Sequence, residues 1–425
     1  MCVASFKGEA VVKFGNDAPE TTHANRSPAR LSCRALLGVG AAAAATASLG
    51  LARPAIAAPR AVSGARALGA EAPFGPVLVA APGGGSSYAR AVRLSTANAA
   101  GSRTILATYQ TFGGPSGFPI YRSDDDGRTW AQFSSVPGAG AASGLYLQPF
   151  LYELPRAFAG LPKGALLFAC NALGNFSSTA IQLYASTDGG ATWQFLSTVA
   201  QGGPPDTTNG ATPVWEPFLL LHEDRLICYY SDQRDPNFGQ KLAHQTSTDL
   251  RTWGPVVDDA TGTAYAERPG MTTVAQLKGD LWIMTYEFGE PDDPANPDQN
   301  NYSYHVHYRI AKDPESFRFS ADTPLVVGSD APNGAPVVTW SQSGGVNGTI
   351  VVTDNDHQDF FINRDLGDPG KWSKLSSPMP AGYSRFTIPL GGAGEPENRG
   401  LLFVITGAQY GKSGPVEAGI VSLGG

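Results

Sequence analysis

The stretch "YRSDDDGRTW" at residues 121–130 returns, with changes, as "YASTDGGATW" at residues 184–193. Both copies contain the pattern Ser-x-Asp-x-Gly-x-Thr-Trp, and their starts lie 63 residues apart. A shorter copy, "STDLRTW", occupies residues 247–253, and "AKDPESF" around Asp313 reads as a worn fourth copy. A recurrent spacing of this length indicates one structural unit that is used several times within a single domain.

The residue types in this motif indicate a structural role. The Asp side chain can accept hydrogen bonds from turn amides, the Gly permits a positive φ, and the Trp ring can pack between sheets. The motif resembles the Asp-box (BNR repeat) of sialidase-like propellers. We therefore predict a turn-forming and not a catalytic role for Ser123, Asp125, Gly127, Trp130, Ser186, Asp188, Gly190 and Trp193.

A second series of repeats is independent of the first. Six apolar, strand-like runs recur at intervals of 52–69 residues, and another predicted strand precedes each of them. Six such hairpins predict an all-β fold, a six-bladed β-propeller with four antiparallel strands in each blade. The stretch "PVLVAAP" is expected to supply the outer strand of the last blade and so to close the ring. The six runs are "RTILATY", "GALLFAC", "RLICYY", "DLWIMTYE", "GTIVVTD" and "GLLFVIT".

Composition argues against several classes of partner. The 425 residues carry a net charge of −7 and contain no basic run, which disfavours nucleic acid and anionic membrane surfaces as partners. The six histidines show no paired spacing, so we predict no catalytic metal and no cofactor. Cys170 and Cys228 lie in apolar runs and are predicted to be buried thiols.

The N-terminal segment has the features of an export signal. Arg26, Arg30 and Arg34 precede an Ala- and Gly-rich apolar stretch, and "AIA" at 55–57 offers a small-residue cleavage site. We expect a secreted protein, extracellular or periplasmic, that is a monomer and has no membrane attachment once the leader is removed. Three regions are predicted: a leader (1–58), a linker (59–74) and a single catalytic propeller domain (75–425).

Strand direction selects the candidate catalytic residues. In each blade of a propeller, the start of the first strand and the end of the second strand lie at the same mouth. Two glutamates from adjacent blades fall at such positions, Glu216 in "TPVWEPFLL" and Glu287 in "IMTYEFG". Two carboxyl groups framed by aromatic side chains are what hydrolysis of a glycosidic bond requires, and an apolar frame raises a carboxyl pKa. We predict that these two form the catalytic pair. Alternatively, both are only ion-pair partners of Arg268 and Arg234.

Longer stretches carry a more specific resemblance. They resemble glycoside hydrolase family 93, and the similarity runs through "QPFLYELP", "TPVWEPFLL", "LICYYSDQRD", "WGPVVDD", "ERPGM" and "GYSR". The resemblance implies exo-acting α-L-arabinanases on a six-bladed propeller, which release arabinobiose from linear 1,5-α-arabinan. It also implies a retaining mechanism, with carboxyl groups about 5–5.5 Å apart. The family's catalytic glutamates fall on Glu216 and Glu287, and Tyr383 matches a tyrosine of its pocket.

The resemblance makes arabinan or an arabino-oligosaccharide the expected substrate. Which glutamate is the nucleophile stays open at this point. The Pro- and Asp-rich segment 287–308 is expected to be a loop that overhangs the mouth. The candidate substrate contacts are Arg90, Gln148, Trp215, Arg234, Arg268, Tyr286, Tyr383 and Arg385.

Two other functions stay open. In an exo-sialidase, Arg90, Arg268 and Arg385 would clamp a carboxylate, and Tyr383 with Glu216 would form the nucleophile pair. Against this, "YARAVRL" lacks the Arg-Ile-Pro signature of sialidases. A non-catalytic glycan-binding propeller is the other alternative. Such a binder has no need for two converging glutamates, so a separation of more than about 10 Å would exclude the hydrolase.

Overall fold

The computed structural model describes residues 72–82, 84–99, 101–111, 117–138, 145–295, 301–391, 400–410 and 412–424. The predicted leader and most of the predicted linker lie outside the described residues, and so do Cys2 and Cys33. Within these described ranges, no helix is long and apolar enough to cross a membrane.

The described chain forms six four-stranded antiparallel sheets, which confirms the predicted six-bladed β-propeller. The inner strands of successive blades contact each other in order around the ring. Blade 1 consists of β2 (Ser86–Ala97), β3 (Arg103–Thr111), β4 (Phe118–Ser123) and β5 (Ala131–Val136). Blade 2 consists of β6 (Leu145–Glu153), β7 (Leu166–Leu173), β8 (Thr179–Ser186) and β9 (Gln194–Gly202). Blade 3 consists of β10 (Val214–His222), β11 (Arg225–Asp232), β12 (Lys241–Ser247) and β13 (Val257–Ala260).

The last blade is completed by the first strand of the described chain. Blade 4 consists of β14 (Arg268–Gln276), β15 (Trp282–Pro291), β16 (Tyr302–Ala311) and β17 (Thr323–Pro324). Blade 5 consists of β18 (Val337–Ser341), β19 (Thr349–Thr353), β20 (Phe360–Asn363) and β21 (Trp372–Leu375). Blade 6 consists of β22 (Phe386–Leu390), β23 (Leu401–Thr406), β24 (Val416–Ser422) and β1 (Phe74–Ala80). Strand β1 pairs antiparallel with β24. The predicted closure of the ring by an N-terminal strand is confirmed.

The repeated Asp motif forms the turn between the third and fourth strands of a blade. In blade 1, Asp125 accepts hydrogen bonds from the hydroxyl of Ser123 at 2.8 Å and from the amide and hydroxyl of Thr129 at 2.9 and 2.6 Å. The indole N–H of Trp130 donates to the carbonyl of Gly127 at 2.9 Å. These bonds satisfy polar groups of the turn internally.

The second copy repeats this geometry in blade 2. Asp188 accepts from Ser186 at 2.7 Å and from the amide and hydroxyl of Thr192 at 3.0 and 2.6 Å. Trp193 donates to the carbonyl of Gly190 at 3.1 Å and packs edge-on against Phe168. These donors lower the pKa of Asp188 to about 2.

Blade 5 contains a further copy of this turn that was not predicted from the sequence. Asn363 accepts from the amide of Gly367 at 2.9 Å, as Ser123 accepts from the amide of Gly127 at 2.8 Å. Gly367 has a φ of +87° and Gly127 one of +89°. The copy escaped notice because Asn replaces Ser and extra residues separate the Gly from Trp372.

The apolar core lies between neighbouring blades. One cluster joins Leu106 and Ile120 of blade 1 to Phe168 and Tyr184 of blade 2. Cys170 and Cys228 are both buried and free, as predicted, and burial raises the pKa of each thiol. The core therefore ties each blade to the next.

Each inner strand is preceded or interrupted by one residue in the left-handed region. Their φ values lie between 48° and 64°, and where the residue falls within the strand it coincides with a shift in register against the second strand. Such a residue turns its own N–H out of the ladder. The six residues, one in each blade, are Tyr88, Gln148, Glu216, Met271, Ala335 and Ser384.

We predict that Gly190→Ala destabilises the fold more than Gly189→Ala. Both glycines have positive φ, so each substitution incurs a penalty of about 1 kcal/mol. A Cβ at Gly190 would also lie 2.7 Å from Leu106 Cδ1, whereas a Cβ at Gly189 would meet nothing within 4 Å. The added clash is expected to cost about 1–3 kcal/mol. Urea unfolding of the two variants measures the difference, and equal midpoints would contradict this account.

Candidate active site

Glu216 is held by donors on both carboxyl oxygens. Oε1 accepts from the Tyr88 hydroxyl at 3.0 Å and from Gln148 Nε2 at 3.4 Å. Oε2 accepts from the Ser231 hydroxyl at 2.8 Å and from the Met271 amide at 3.1 Å. Burial raises the pKa of Glu216, while the donors from Ser231, Tyr88 and Met271 oppose this rise by favouring the ionised form.

Glu287 lies in β15 of the next blade and has a different environment. Its Oε2 accepts one hydrogen bond from the described residues, from the Ala335 amide at 2.8 Å. Burial and the negative charge of Glu216 raise the pKa of Glu287 to about 8, and the Ala335 amide and Arg268 offset only part of this rise. The environment of Glu287 therefore favours the protonated form of its carboxyl group.

The two carboxyl groups converge beside Gly270. A Cβ at Gly270 would lie 3.4 Å from Glu287 Oε1 and 3.6 Å from Ser231 Oγ. Ser231 Oγ in turn lies 2.8 Å from Glu216 Oε2. These three distances place the nearest oxygens of the pair within about 10 Å, the range in which two carboxyl groups can act on one glycosidic bond.

Arg268 places a positive charge near both carboxyl groups without touching either. Its Nη1 donates to Asn209 Oδ1 at 2.6 Å, and its Nη2 donates to Gln233 Oε1 at 3.0 Å and Gln240 Oε1 at 2.9 Å. All these acceptors are neutral amide oxygens. Arg268 thus acts on Glu216 and Glu287 through its field, and it lowers the pKa of both.

Tyrosines from three blades border the carboxyl pair. Tyr88 and Tyr383 stack edge to face with ring centroids 5.2 Å apart, and Tyr410 continues this surface 5.1 Å from Tyr383. From blade 4, Tyr302 and Tyr304 stack with centroids 6.0 Å apart. The ionisable neighbours of Tyr304 include Glu287, Glu216 and Arg268. Aromatic rings of this kind offer faces on which sugar rings can pack.

Several predicted contacts do lie at this site. Gln148 accepts from the Glu216 amide at 3.0 Å and so positions the glutamate backbone. Arg268 and Tyr383 lie close to both glutamates. Trp215 reaches the site only indirectly, because its indole N–H donates to Gln233 Oε1, which also accepts from Arg268.

Tyr286 and Arg385 do not reach the carboxyl pair, contrary to prediction. Tyr286 is fully buried and its hydroxyl bonds to Asp322 and Arg309, because successive residues of β15 point to opposite faces and Glu287 takes the inner one. Arg385 is also fully buried, and its guanidinium donates to the carbonyl oxygens of His357, Gln358, Asp359, Met379 and Pro380.

Arg90 and Arg234 are likewise occupied elsewhere. Arg90 donates to the carbonyl of Ser384 at 2.8 Å and to its hydroxyl at 2.7 Å, and it lines a small cavity next to Glu216. Arg234 pairs with Asp232 at 2.7 Å and donates to the Tyr230 hydroxyl at 2.9 Å. Neither the carboxylate clamp of three arginines nor an ion pair between Arg234 and either glutamate forms.

The segment 287–308 is a hairpin and not a loop as predicted. Strand β15 extends to Pro291 and pairs with β16 from Tyr302 onwards, and residues 296–300 lie outside the described residues. This pairing places Tyr302 and Tyr304 near Arg268. Alternating polar and aromatic residues at 302–308 were the available strand signal.

Other residues that hold the glutamates were not predicted from the sequence. They comprise the side chains of Tyr88 and Ser231 and the amides of Met271 and Ala335. Tyr88 lies two residues before the predicted Arg90, so a residue at the start of β2 was expected but the wrong one was chosen. Amide donors carry no side-chain signal. Across the described ranges, no three His, Cys, Asp or Glu side chains are grouped as metal ligands would be.

Comparison with known proteins agrees with this geometry. The α-L-arabinofuranosidase of Fusarium graminearum from glycoside hydrolase family 93, solved with arabinobiose, is 39% identical with a TM-score of 0.74, over 83% of this chain and 98% of that chain. The chain belongs to glycoside hydrolase family 93. A Penicillium chrysogenum α-L-arabinanase, also solved with arabinobiose, is 37% identical with a TM-score of 0.75, over 83% of this chain and 99% of that chain.

Other matches to this family 93 chain are more distant. A sialidase of Streptococcus pneumoniae is 8% identical with a TM-score of 0.52, over 82% of this chain and 70% of that chain, and so shares only the fold. A xyloglucanase of Paenibacillus sp is 29% identical over 192 residues, which are 43% of this chain and 17% of that relative's length. No family model matches the sequence.

We predict that Arg385→Met lowers stability and leaves KM unchanged. The substitution removes a fully buried guanidinium that donates to several carbonyl oxygens and is expected to cost about 3 kcal/mol. Arg251→Met is the matched control, because Arg251 is exposed and donates to the single carbonyl of Leu196. Denaturant unfolding and steady-state kinetics measure the two effects. A raised KM at unchanged stability would make Arg385 a substrate contact after all.

Proposed function

We propose that the protein is an exo-acting hydrolase that releases arabinobiose from linear 1,5-α-L-arabinan with retention of configuration. The observation that carries this proposal is the unlike pair of carboxyl groups at one mouth, one with donors on both oxygens and one with a single amide donor. The family 93 structures at 37–39% identity, which hold arabinobiose, support the substrate.

The environments of the two glutamates assign their roles. Glu216 is the nucleophile, because its donors stabilise the ionised form that attack on carbon requires. Glu287 is the acid and base, because its raised pKa keeps a proton available for the leaving oxygen. A single amide donor also leaves this carboxyl free to exchange its proton during the reaction.

The reaction then proceeds in two balanced steps. In the first, Glu287 protonates the glycosidic oxygen while Glu216 attacks the anomeric carbon, the bond to the leaving chain breaks, and a glycosyl ester forms on Glu216. In the second, Glu287 removes a proton from water, and the water attacks the same carbon and releases Glu216 as a carboxylate. Two inversions give net retention.

The borders of the site support an exo mode of attack. The extended hairpin β15–β16 carries Tyr302 and Tyr304 beside the carboxyl pair, and Tyr383 with Tyr410 borders it from blade 6. Such borders suit a chain end better than a continuous polymer. We also propose export of the enzyme, supported by the Arg- and Ala-rich segment before residue 58, and the N-terminus of protein recovered from the medium would test it.

We predict that Glu216→Gln and Glu287→Gln each abolish release of arabinobiose from linear 1,5-α-L-arabinan. Each variant removes an ionisable group that the chemistry requires, and a loss of about 10³-fold or more in kcat is expected. The matched control is Glu153→Gln, since Glu153 bonds to Ser95 and lies outside the site. Chromatography of the products measures the outcome. A wild-type protein that produces no arabinobiose would overturn the proposed function.

We predict that kcat/KM falls on the alkaline side near pH 8, tenfold for each further pH unit. Above the pKa of about 8, Glu287 loses the proton that the leaving oxygen needs. With an aryl arabinobioside whose leaving group needs no proton, Glu287→Ala should still form the glycosyl ester and lose this alkaline limb. Glu216→Ala should stay inactive on the same substrate. The reverse pattern would exchange the two roles.

A further inference from the structure

Tyr88 bonds to the proposed nucleophile from a blade that is not adjacent to it. Its hydroxyl donates to Glu216 Oε1 at 3.0 Å, and the two residues belong to blades 1 and 3. The residue is almost completely buried, with 3% of its surface exposed. Its φ of 48° places it among the six left-handed residues that surround the axis.

The ring of Tyr88 is held on several sides. Tyr383 packs edge to face at 5.2 Å, and the Arg90 guanidinium lies 5.7 Å from the ring centroid. The hydroxyl also lies 3.9 Å from Met271 Sδ. A side chain confined in this way keeps its hydroxyl close to Glu216 Oε1, with Met271 Sδ as a longer second contact, and loses little further freedom when the carboxylate ionises.

Tyr88 makes the shorter of the two hydrogen bonds to Glu216 Oε1. The other donor, Gln148 Nε2, is 3.4 Å away, whereas Oε2 has donors at 2.8 and 3.1 Å. Loss of the Tyr88 hydroxyl would therefore leave Oε1 with one long contact while Oε2 stays well held. The phenol remains a donor across the working pH range, because burial and the charge of Glu216 raise the pKa of Tyr88.

We infer that Tyr88 is a positioning residue that keeps Glu216 ionised and fixes the orientation of its carboxylate for attack. This inference rests on the proposed function, in which Glu216 is the nucleophile. Hydrogen bonds to the charged form of a carboxyl lower its pKa, so the donor widens the pH range in which Glu216 can attack. Tyr88 itself gains and loses no proton in the reaction.

Other charged and titratable groups surround Glu216 and would remain in a Tyr88 variant. They comprise one carboxyl, two guanidinium groups and three phenols, and they stay constant in the comparison below. These groups are Glu287, Arg90, Arg268, Tyr304, Tyr383 and Tyr410.

The test is a pH titration of the Glu216 carboxyl carbon by NMR in the ¹³C-glutamate-labelled protein, with the signal assigned by Glu216→Gln. In Tyr88→Phe we expect the midpoint of the Glu216 titration to rise by about one pH unit, because the variant loses one hydrogen bond to the charged carboxylate. The acid limb of kcat/KM should move upward by the same amount. The matched control is Tyr109→Phe, a buried tyrosine of the same blade that packs on Tyr121 and should leave the midpoint unchanged.

A folded Tyr88→Phe variant with the wild-type midpoint would overturn the inference. If that variant does not fold, 3-fluorotyrosine at position 88 makes the donor stronger and should lower the midpoint, and an unchanged midpoint would again refute the role. The titration requires no turnover. A wild-type protein that releases no arabinobiose would therefore refute the proposed function, while the titration would still decide whether Tyr88 controls the ionisation of Glu216.

Discussion

The left-handed residue at the start of each inner strand is the constraint on which the rest of the site depends. Because the N–H of this residue points away from the hydrogen-bond ladder of its own blade, it can donate to a residue of the preceding blade. The Glu216 amide donates to the Gln148 side chain, and the Met271 amide donates to the Glu216 carboxyl. The Ala335 amide donates to the Glu287 carboxyl. The bonds that join these blades around the axis are thus the bonds that hold both carboxyl groups, so the stability of the ring and the geometry of the site are linked.

The same ring of bonds makes the two carboxyl groups unlike. Burial raises the pKa of both, and each hydrogen bond to a charged carboxylate is worth about 1.5–3 kcal/mol. Glu216 receives donors from blades 1, 2, 3 and 4, whereas Glu287 receives one amide. The difference in donors, and not a difference in burial, therefore decides which carboxyl ionises first.

The number of blades, their strands and the closure of the ring could be predicted because apolar runs repeat at a visible spacing. The site could be predicted only in part. Gln148, Glu216 and Arg268 do lie at the site, but Arg90 was predicted as a contact where Tyr88, two residues earlier, occupies the left-handed position, and Met271 was not predicted. A bulge adds a residue to one strand, so counting from the strand start fails there. The contributions of Met271 and Ala335 are backbone amides, which every residue except proline possesses.

The positive charge at the mouth offsets only part of the effect of burial and of the repulsion between the two carboxyl groups, so the pair favours a state with one proton. Arg268 lies near both carboxyl groups, yet its donors are used by the neutral oxygens of Asn209, Gln233 and Gln240. It therefore compensates the charge of one ionised glutamate through space and forms no ion pair that would neutralise either. Since a second ionisation would add a buried negative charge beside the first, the proton stays on the carboxyl with fewer donors, Glu287.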